Sequence, residues 1–190
     1  MFKELLKEMK IESKEHGWGI LLIFRDIVKE VVQKNKPRIV VDVGCHNRLL
    51  ERTICEWCRE VGHKVYTVGI DVQVYDEKPE IVASCEKIPI KDNSVDLITI
   101  IETLEHVYNY VNCLEEIARI AKKGAKIIIQ SPICTSPNSY DGDKTHLHVL
   151  HPKTLTRLLE LINLKVEHEE TKNDTFIIIA TKQQKTNNIY

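Results

Sequence analysis

The feature that most constrains this chain is the stretch from Arg38 to Asn47, Arg-Ile-Val-Val-Asp-Val-Gly-Cys-His-Asn. Ile39, Val40 and Val41 form a β-branched run, the kind that is buried on both faces of a parallel sheet. Asp42 ends the run, Gly44 marks a turn, and a helical pattern begins near Leu49. Strand, tight turn and helix together bring an acceptor carboxylate and free backbone N–H groups to the mouth of a nucleotide-type site.

The rest of the chain repeats that alternation. Leu49 to Val61 reads as a helix closed by Gly62 in the C′ position. Strand patterns follow at Tyr66 to Ile70, Pro79 to Ser84, Asp96 to Ile101 and Ala125 to Gln130. The spacing predicts a helix over Asn109 to Lys123 with Gly124 as its cap. Ser131 to Asp143 is a loop by composition. Pro152 opens a further helix at its first position, where its missing N–H costs nothing, and Asn163 closes it. Leu164 to Glu169 and Thr175 to Thr181 form a final antiparallel-looking pair. Ahead of the first strand, Phe2 to Glu12 reads as a charged helix. Gly17-Trp18-Gly19 is a break in which Trp18 is expected as a hydrophobic anchor, with a lid or substrate contact as the alternative, and Ile20 to Gln33 carries one apolar helical face. The expected architecture is α/β: a Rossmann-like doubly wound sheet of seven strands, mostly parallel with a C-terminal antiparallel hairpin. Residues 1–37 are expected to be helices covering the sheet edge, 38–182 the main domain and 183–190 a polar tail.

Composition narrows the function classes. At 190 residues the chain is long enough for one domain with a sizeable core and short for two. A net charge of −1 gives no overall electrostatic footprint for nucleic acid. The apolar run Ile20 to Phe24 is too short to span a bilayer, and the N-terminus lacks the apolar segment of a signal peptide. These features point to a cytoplasmic protein, monomeric or homodimeric. The cysteines are Cys45, Cys55, Cys58, Cys85, Cys113 and Cys134. Only Cys55 and Cys58 have a metal or redox spacing. With no second pair they read as small core residues on a helix, and no structural disulfide is expected.

Asp42-Val43-Gly44 resembles motif I of the class I S-adenosylmethionine (SAM) dependent methyltransferases, acidic-x-Gly-x-Gly-x-Gly, with His46 and Arg48 at the second and third glycine positions. The stretch Ser84-Cys85-Glu86-Lys87-Ile88-Pro89-Ile90, continuing to Asp96-Leu97-Ile98, is similar to the family's adenine-side segment. The closing hairpin is shared with that family and absent from dinucleotide dehydrogenases. The resemblance runs from Arg38 to Lys182. It implies SAM as cofactor, with Asp42 anchoring the amino group and Gly44 letting the backbone approach. It further implies that Asp71 accepts the ribose hydroxyls, that Ser84, Cys85 and Glu86 lie around the adenine, and that Glu102 lines the pocket.

Glu102-Thr103-Leu104-Glu105-His106 resembles the Glu-x-x-Glu-His segment of the O-methyltransferases of ubiquinone biosynthesis and of the small-RNA 2′-O-methyltransferases. In those groups it holds a divalent metal together with a later histidine. Positions i, i+3 and i+4 share one helical face, so the spacing itself brings these groups together. Thr145-His146 matches the later histidine of the ubiquinone group; His148 is the second choice and His151 stands nearby. The ligand set Glu102, Glu105, His106 and His146 fits Mg²⁺, Mn²⁺ or Zn²⁺. The alternative is that Glu105 and His106 cap and orient the turn, with His106 as general base. The reading is a methyltransferase acting on an oxygen of a small hydroxylated acceptor, with Glu105 and His106 at the reacting end. The competing reading is a degenerate member of the fold that binds or scaffolds without catalysis. A nicotinamide oxidoreductase is disfavoured, since Gly-x-Gly-x-x-Gly is missing.

Overall fold

The structure, a computed structural model, describes residues 23–137 and 143–184. The expected break at Gly17 to Gly19, the helix over Phe2 to Glu12 and most of the polar tail fall outside those residues.

In chain order the elements are α1 (Arg25–Asn35), β1 (Ile39–Val43), α2 (Leu49–Glu60), β2 (Tyr66–Asp71), β3 (Ile81–Val82), β4 (Val95–Ile101), α3 (Tyr110–Ile120), β5 (Ala121–Pro132), α4 (Pro152–Leu161), β6 (Leu164–Lys172) and β7 (Thr175–Lys182). They build one seven-stranded sheet in the order β3-β2-β1-β4-β5-β7-β6. The first five strands run parallel and β7 inserts antiparallel between β5 and β6. The strand order reverses between β1 and β4, and ligands of open α/β sheets bind at such a switch point, beyond the carboxyl ends of the strands.

Apolar side chains cover both faces of the sheet. Phe24, Val28 and Val32 of the α1 segment pack with Ile54, Trp57 and Cys58 of α2 over Val40, Leu97, Ile128 and Ile177. Leu114 and Ile117 of α3 and Leu155 and Leu159 of α4 pack on the other face, over Val41, Ile98, Ile127 and Ile178. Helix α1 therefore lies on a face of the sheet rather than along its edge. Pro152 and Asn163 do what the sequence predicts: Pro152 opens α4, and Asn163 takes the left-handed conformation, φ 62°. All six cysteines are free thiols, and Cys58 is buried in the core.

Two elements differ from expectation, each for a local reason. Helix α3 stops at Ile120 rather than at Gly124, because Asn93 and Ser94 donate their N–H groups to the last carbonyls, those of Arg119 and Ile120. Ala121 then pairs with Val95, so the strand begins where the helix was expected to continue. Strand β3 is only Ile81–Val82: Gly69 N–H is taken by the Glu80 carboxylate at 2.7 Å, a side chain standing in for a strand. At the far end of the sheet Asp96 accepts from Arg38 N (3.1 Å), Ile39 N (2.8 Å) and Lys122 Nζ (2.7 Å), which fastens the start of β1 to β4. Among the described residues no helix is long and apolar enough to cross a membrane.

Candidate active site

The loop after β1 keeps a glycine-type backbone without the glycines. Gly44, His46 and Arg48 all have left-handed φ, at 78°, 46° and 62°. For a residue with a Cβ this conformation costs roughly 1–2 kcal/mol, and neighbouring contacts offset it. His46 N–H donates to Asp71 Oδ2 at 3.0 Å, and its ring lies 4.0 Å from that of Tyr75. Arg48 Nε donates to Glu51 Oε1 at 3.2 Å, and the same guanidinium pairs with Glu80. At Gly44 even the side-chain-free form is required, because an added Cβ would lie 2.2 Å from Thr103 Oγ1 in the turn after β4. Gly69 on β2 is equally confined: a Cβ there would meet Glu51 Oε1 at 2.5 Å and Cys45 Sγ at 2.7 Å.

Asp42 sits beneath this loop, buried, and accepts from Thr99 Oγ1 at 2.6 Å. Burial, then the neighbouring Glu51 carboxylate, holds its carboxyl well above the usual range. Asp71 ends β2. Its Oδ1 accepts from Gln73 N at 2.9 Å and its Oδ2 from His46 N. Each carboxylate oxygen has a further lone pair for a hydroxyl donor. In the turn after β3, Ser84 Oγ accepts from Glu86 N at 3.2 Å, and Glu86 Oε1 accepts from Asn109 N at 3.2 Å. The Cys85 side chain is buried against Cys113, which leaves its backbone to face a ligand.

The second half of the site lies where β4 ends. The expected shared helical face of Glu102, Glu105 and His106 does not form. Glu102 is left-handed (φ 48°) and Leu104–His106 is a single 3₁₀ turn, so Glu102 is aimed separately. Its Oε1 accepts from Gln130 Nε2 at 3.3 Å. Burial, reinforced by the Glu105 carboxylate, pushes its carboxyl up to about 8. Glu105 is 2% exposed and accepts from Ser131 Oγ at 2.9 Å through Oε2, while its Oε1 has no hydrogen-bond partner among the described residues. Burial raises its carboxyl as well.

The segment carrying the histidines is bound to that turn. Leu147 N and His148 N donate to the Glu105 carbonyl at 2.7 and 3.1 Å. One carboxylate oxygen of Glu105 and one ring nitrogen each of His106 and His146 lie within 4.8 Å of one another. The two imidazole centroids are 4.7 Å apart, and His146 Nδ1 is buried without a partner among the described residues. Glu102 is outside this set of three. His148 Nε2 is engaged by the Val107 carbonyl at 2.9 Å, and His151 Nδ1 caps α4 by accepting from Lys153 N at 3.1 Å. Of the three loop histidines only His146 enters the cluster. Sequence reasoning missed Thr99, Ser131 and Thr145 as partners of the acidic groups and His106. The only local signal was Asp143-Lys144-Thr145, an Asx-turn pattern.

A family profile described as a methyltransferase domain matches residues 21–169, most of the chain. The chain belongs to the class I SAM-dependent methyltransferases. Among curated proteins, a stretch of 113 residues, 59% of this methyltransferase, is 31% identical to a sterol 4-C-methyltransferase of Caenorhabditis elegans, covering 32% of it. A stretch of 50 residues, 26% of the chain, is 46% identical to an uncharacterized protein of Methanocaldococcus jannaschii, covering 22% of that protein. The chain thus spans about a third or less of the curated relatives it matches. Its fold is that of a SAM-dependent methyltransferase from Aquifex aeolicus (TM-score 0.65, 23% identity, 82% of this chain and 87% of that one). It is equally similar to one from Archaeoglobus fulgidus (TM-score 0.63, 20% identity, 88% and 100%). A methyltransferase from Haloferax volcanii, solved in complex with its Trm112 activator, aligns with a TM-score of 0.68 at 14% identity over 87% and 93%.

Proposed function

We propose that this methyltransferase transfers the SAM methyl to an oxygen of a small hydroxylated acceptor, and that Glu105, His106 and His146 hold a divalent cation at the reacting end. One observation carries the reading. A buried carboxylate oxygen and a buried imidazole nitrogen, Glu105 Oε1 and His146 Nδ1, both lack a hydrogen-bond partner among the described residues, and their residues converge with His106. Buried polar atoms left so are costly, and a cation among them satisfies both. Two imidazoles and one carboxylate suit Mn²⁺ or Zn²⁺ better than Mg²⁺, which prefers oxygen ligands. Such a cation lowers the pKa of a bound hydroxyl.

The chain's own groups do the rest. Asp71 accepts the ribose hydroxyls, Gly44 admits the backbone to the cofactor, and the Ser84 turn borders the adenine. The acceptor oxygen, freed of its proton, attacks the sulfonium methyl in line. The C–S bond pair returns to sulfur, leaving S-adenosylhomocysteine, and the proton passes to the His106 side of the cluster or to water. Tyr108, Leu147 and Val149, close in sequence to His106 and His146, are exposed. The left-handed φ values kept at His46 and Arg48 support cofactor binding over a non-catalytic scaffold role.

Calorimetric titration with S-adenosylhomocysteine tests the cofactor half; a flat trace returns the scaffold reading. Methyl transfer from labelled SAM to a panel of small phenols and alcohols, before and after EDTA with Mn²⁺ or Zn²⁺ added back, tests the other half. Transfer that survives exhaustive chelation removes the cation from the mechanism.

A further inference from the structure

The loop that supplies His146 also contacts the His106 ring through a second residue, Thr145. Asp143 and Thr145 form an Asx turn: Thr145 N–H donates to Asp143 Oδ1 at 2.8 Å, and His146 N–H donates to the Asp143 carbonyl at 3.2 Å. The Thr145 hydroxyl lies 2.6 Å from Asp143 Oδ1 and 2.9 Å from His106 Nδ1. A hydroxyl has a single proton, and an ionised carboxylate only accepts. The short contact to the carboxylate therefore takes the Thr145 proton. Toward His106 the hydroxyl oxygen is left as an acceptor, so His106 Nδ1 carries the hydrogen of that bond.

We infer that Asp143 and Thr145 are positioning residues that set the His106 tautomer, placing the hydrogen on Nδ1 and the lone pair on Nε2. This inference rests on the proposed role of the Glu105–His106–His146 cluster, because the free lone pair is what a cation or an acceptor proton would meet there. A free neutral imidazole in water favours the opposite tautomer, and a histidine that must ligate through one nitrogen is commonly fixed by a hydrogen bond at the other. The arrangement also couples the two histidines. One turn of chain aims His146 and, one residue earlier, assigns the protons of His106. The turn is held in place independently of both rings, by Leu147 and His148 N–H groups on the Glu105 carbonyl and by His148 Nε2 on the Val107 carbonyl.

Nitrogen-15 NMR of the full chain, with histidines labelled and metal stripped by EDTA, reads the tautomer directly. The expected spectrum has His106, assigned by its loss in His106→Gln, protonated on Nδ1 in the neutral form. In Thr145→Val the hydroxyl is gone, and His106 should revert to the Nε2-protonated tautomer. Thr145→Ser should restore the original signal. Titration of Zn²⁺ or Mn²⁺ into the same proteins should show affinity about 10- to 100-fold weaker for Thr145→Val, with S-adenosylhomocysteine affinity unchanged. A wild-type His106 protonated on Nε2, or a Thr145→Val spectrum identical to the parent's, overturns the inference. If the tautomer behaves as expected while neither metal binds any of the proteins, the positioning role stands and the cation reading of the cluster falls.

Discussion

The two ends of this site are built on opposite terms. On the cofactor side, around Gly44 to Arg48, most of the strained and charged groups are answered from within the chain, the exception being the buried Glu51 Oε2, which has no hydrogen-bond partner among the described residues. His46 N–H has Asp71, the Arg48 guanidinium has Glu51 and Glu80, and Asp42 has Thr99. On the acceptor side, Glu105 Oε1 and His146 Nδ1 are buried and unanswered, and Glu102 and Glu105 press on each other's charge. A region that satisfies most of its own groups is largely preorganised for a ligand of fixed shape. A region with open buried groups has had its chemistry left for something else to complete. On the proposed reading, the cofactor belongs to the first region and the reaction to the second.

The largest test of that contrast is Glu105→Ala. Methyl transfer should fall about a thousandfold or more, roughly 4 kcal/mol of barrier, while calorimetric affinity for S-adenosylhomocysteine stays within about threefold. A parallel loss of cofactor affinity would mean that the two regions are one. Next is Asp71→Ala, which removes both the ribose acceptor and the partner of His46 N–H. Cofactor binding should weaken by roughly 2 kcal/mol or more, read by the same titration; unchanged binding would take Asp71 out of the cofactor site.

Arg48→Gly sets two costs against each other. It removes the left-handed penalty of about 1–2 kcal/mol and strips a buried carboxylate, Glu51, of its cationic partner. The ion pair should win, with a net destabilisation of about 1–2 kcal/mol in urea unfolding. A gain in stability would show that the loop's geometry, and not the ion pair, is what Arg48 burdens. A further test concerns pH. The Glu102 carboxyl is raised in the folded chain from its ordinary 4.5 to about 8. The folded state therefore holds a proton that the unfolded state releases between these values. Stability of the metal-stripped protein should fall as pH climbs from about 4.5 to about 8 and level off above it. Glu102→Gln should flatten that slope in thermal melts recorded across the range.

The sequence shows the fold more fully than the site, and the reason is periodicity. Buried strands, Pro152 at a helix start and Asn163 at a helix end all follow from rules local to a few residues. The end of α3 did not, because Asn93 and Ser94, distant in sequence, supply its cap. Strand β3 shrank because a glutamate side chain takes the place of a backbone pair. At the site, the type of residue was legible at Asp42, Asp71, Glu105, His106 and His146, since each follows a strand end or matches a motif. Orientation was not. That Glu102 turns left-handed, that Cys85 points into the core and that His148 and His151 are engaged elsewhere depend on contacts made only once the sheet is assembled.

Gly69 carries a consequence for how lineages of this protein can change. A methyl group at that position has no room until both Glu51 and Cys45 have become smaller. A smaller residue at 51 deprives Arg48 of one of its two carboxylates, leaving Glu80 alone to hold it. Substitutions here therefore have an order: the helix residue and the loop thiol must change first, and the strand glycine only afterwards. Positions 45, 48, 51, 69 and 80 should drift as a linked block, with most single steps closed and a few paired steps open. Swapping the block whole from another member of the fold should succeed where exchanging its residues one at a time fails.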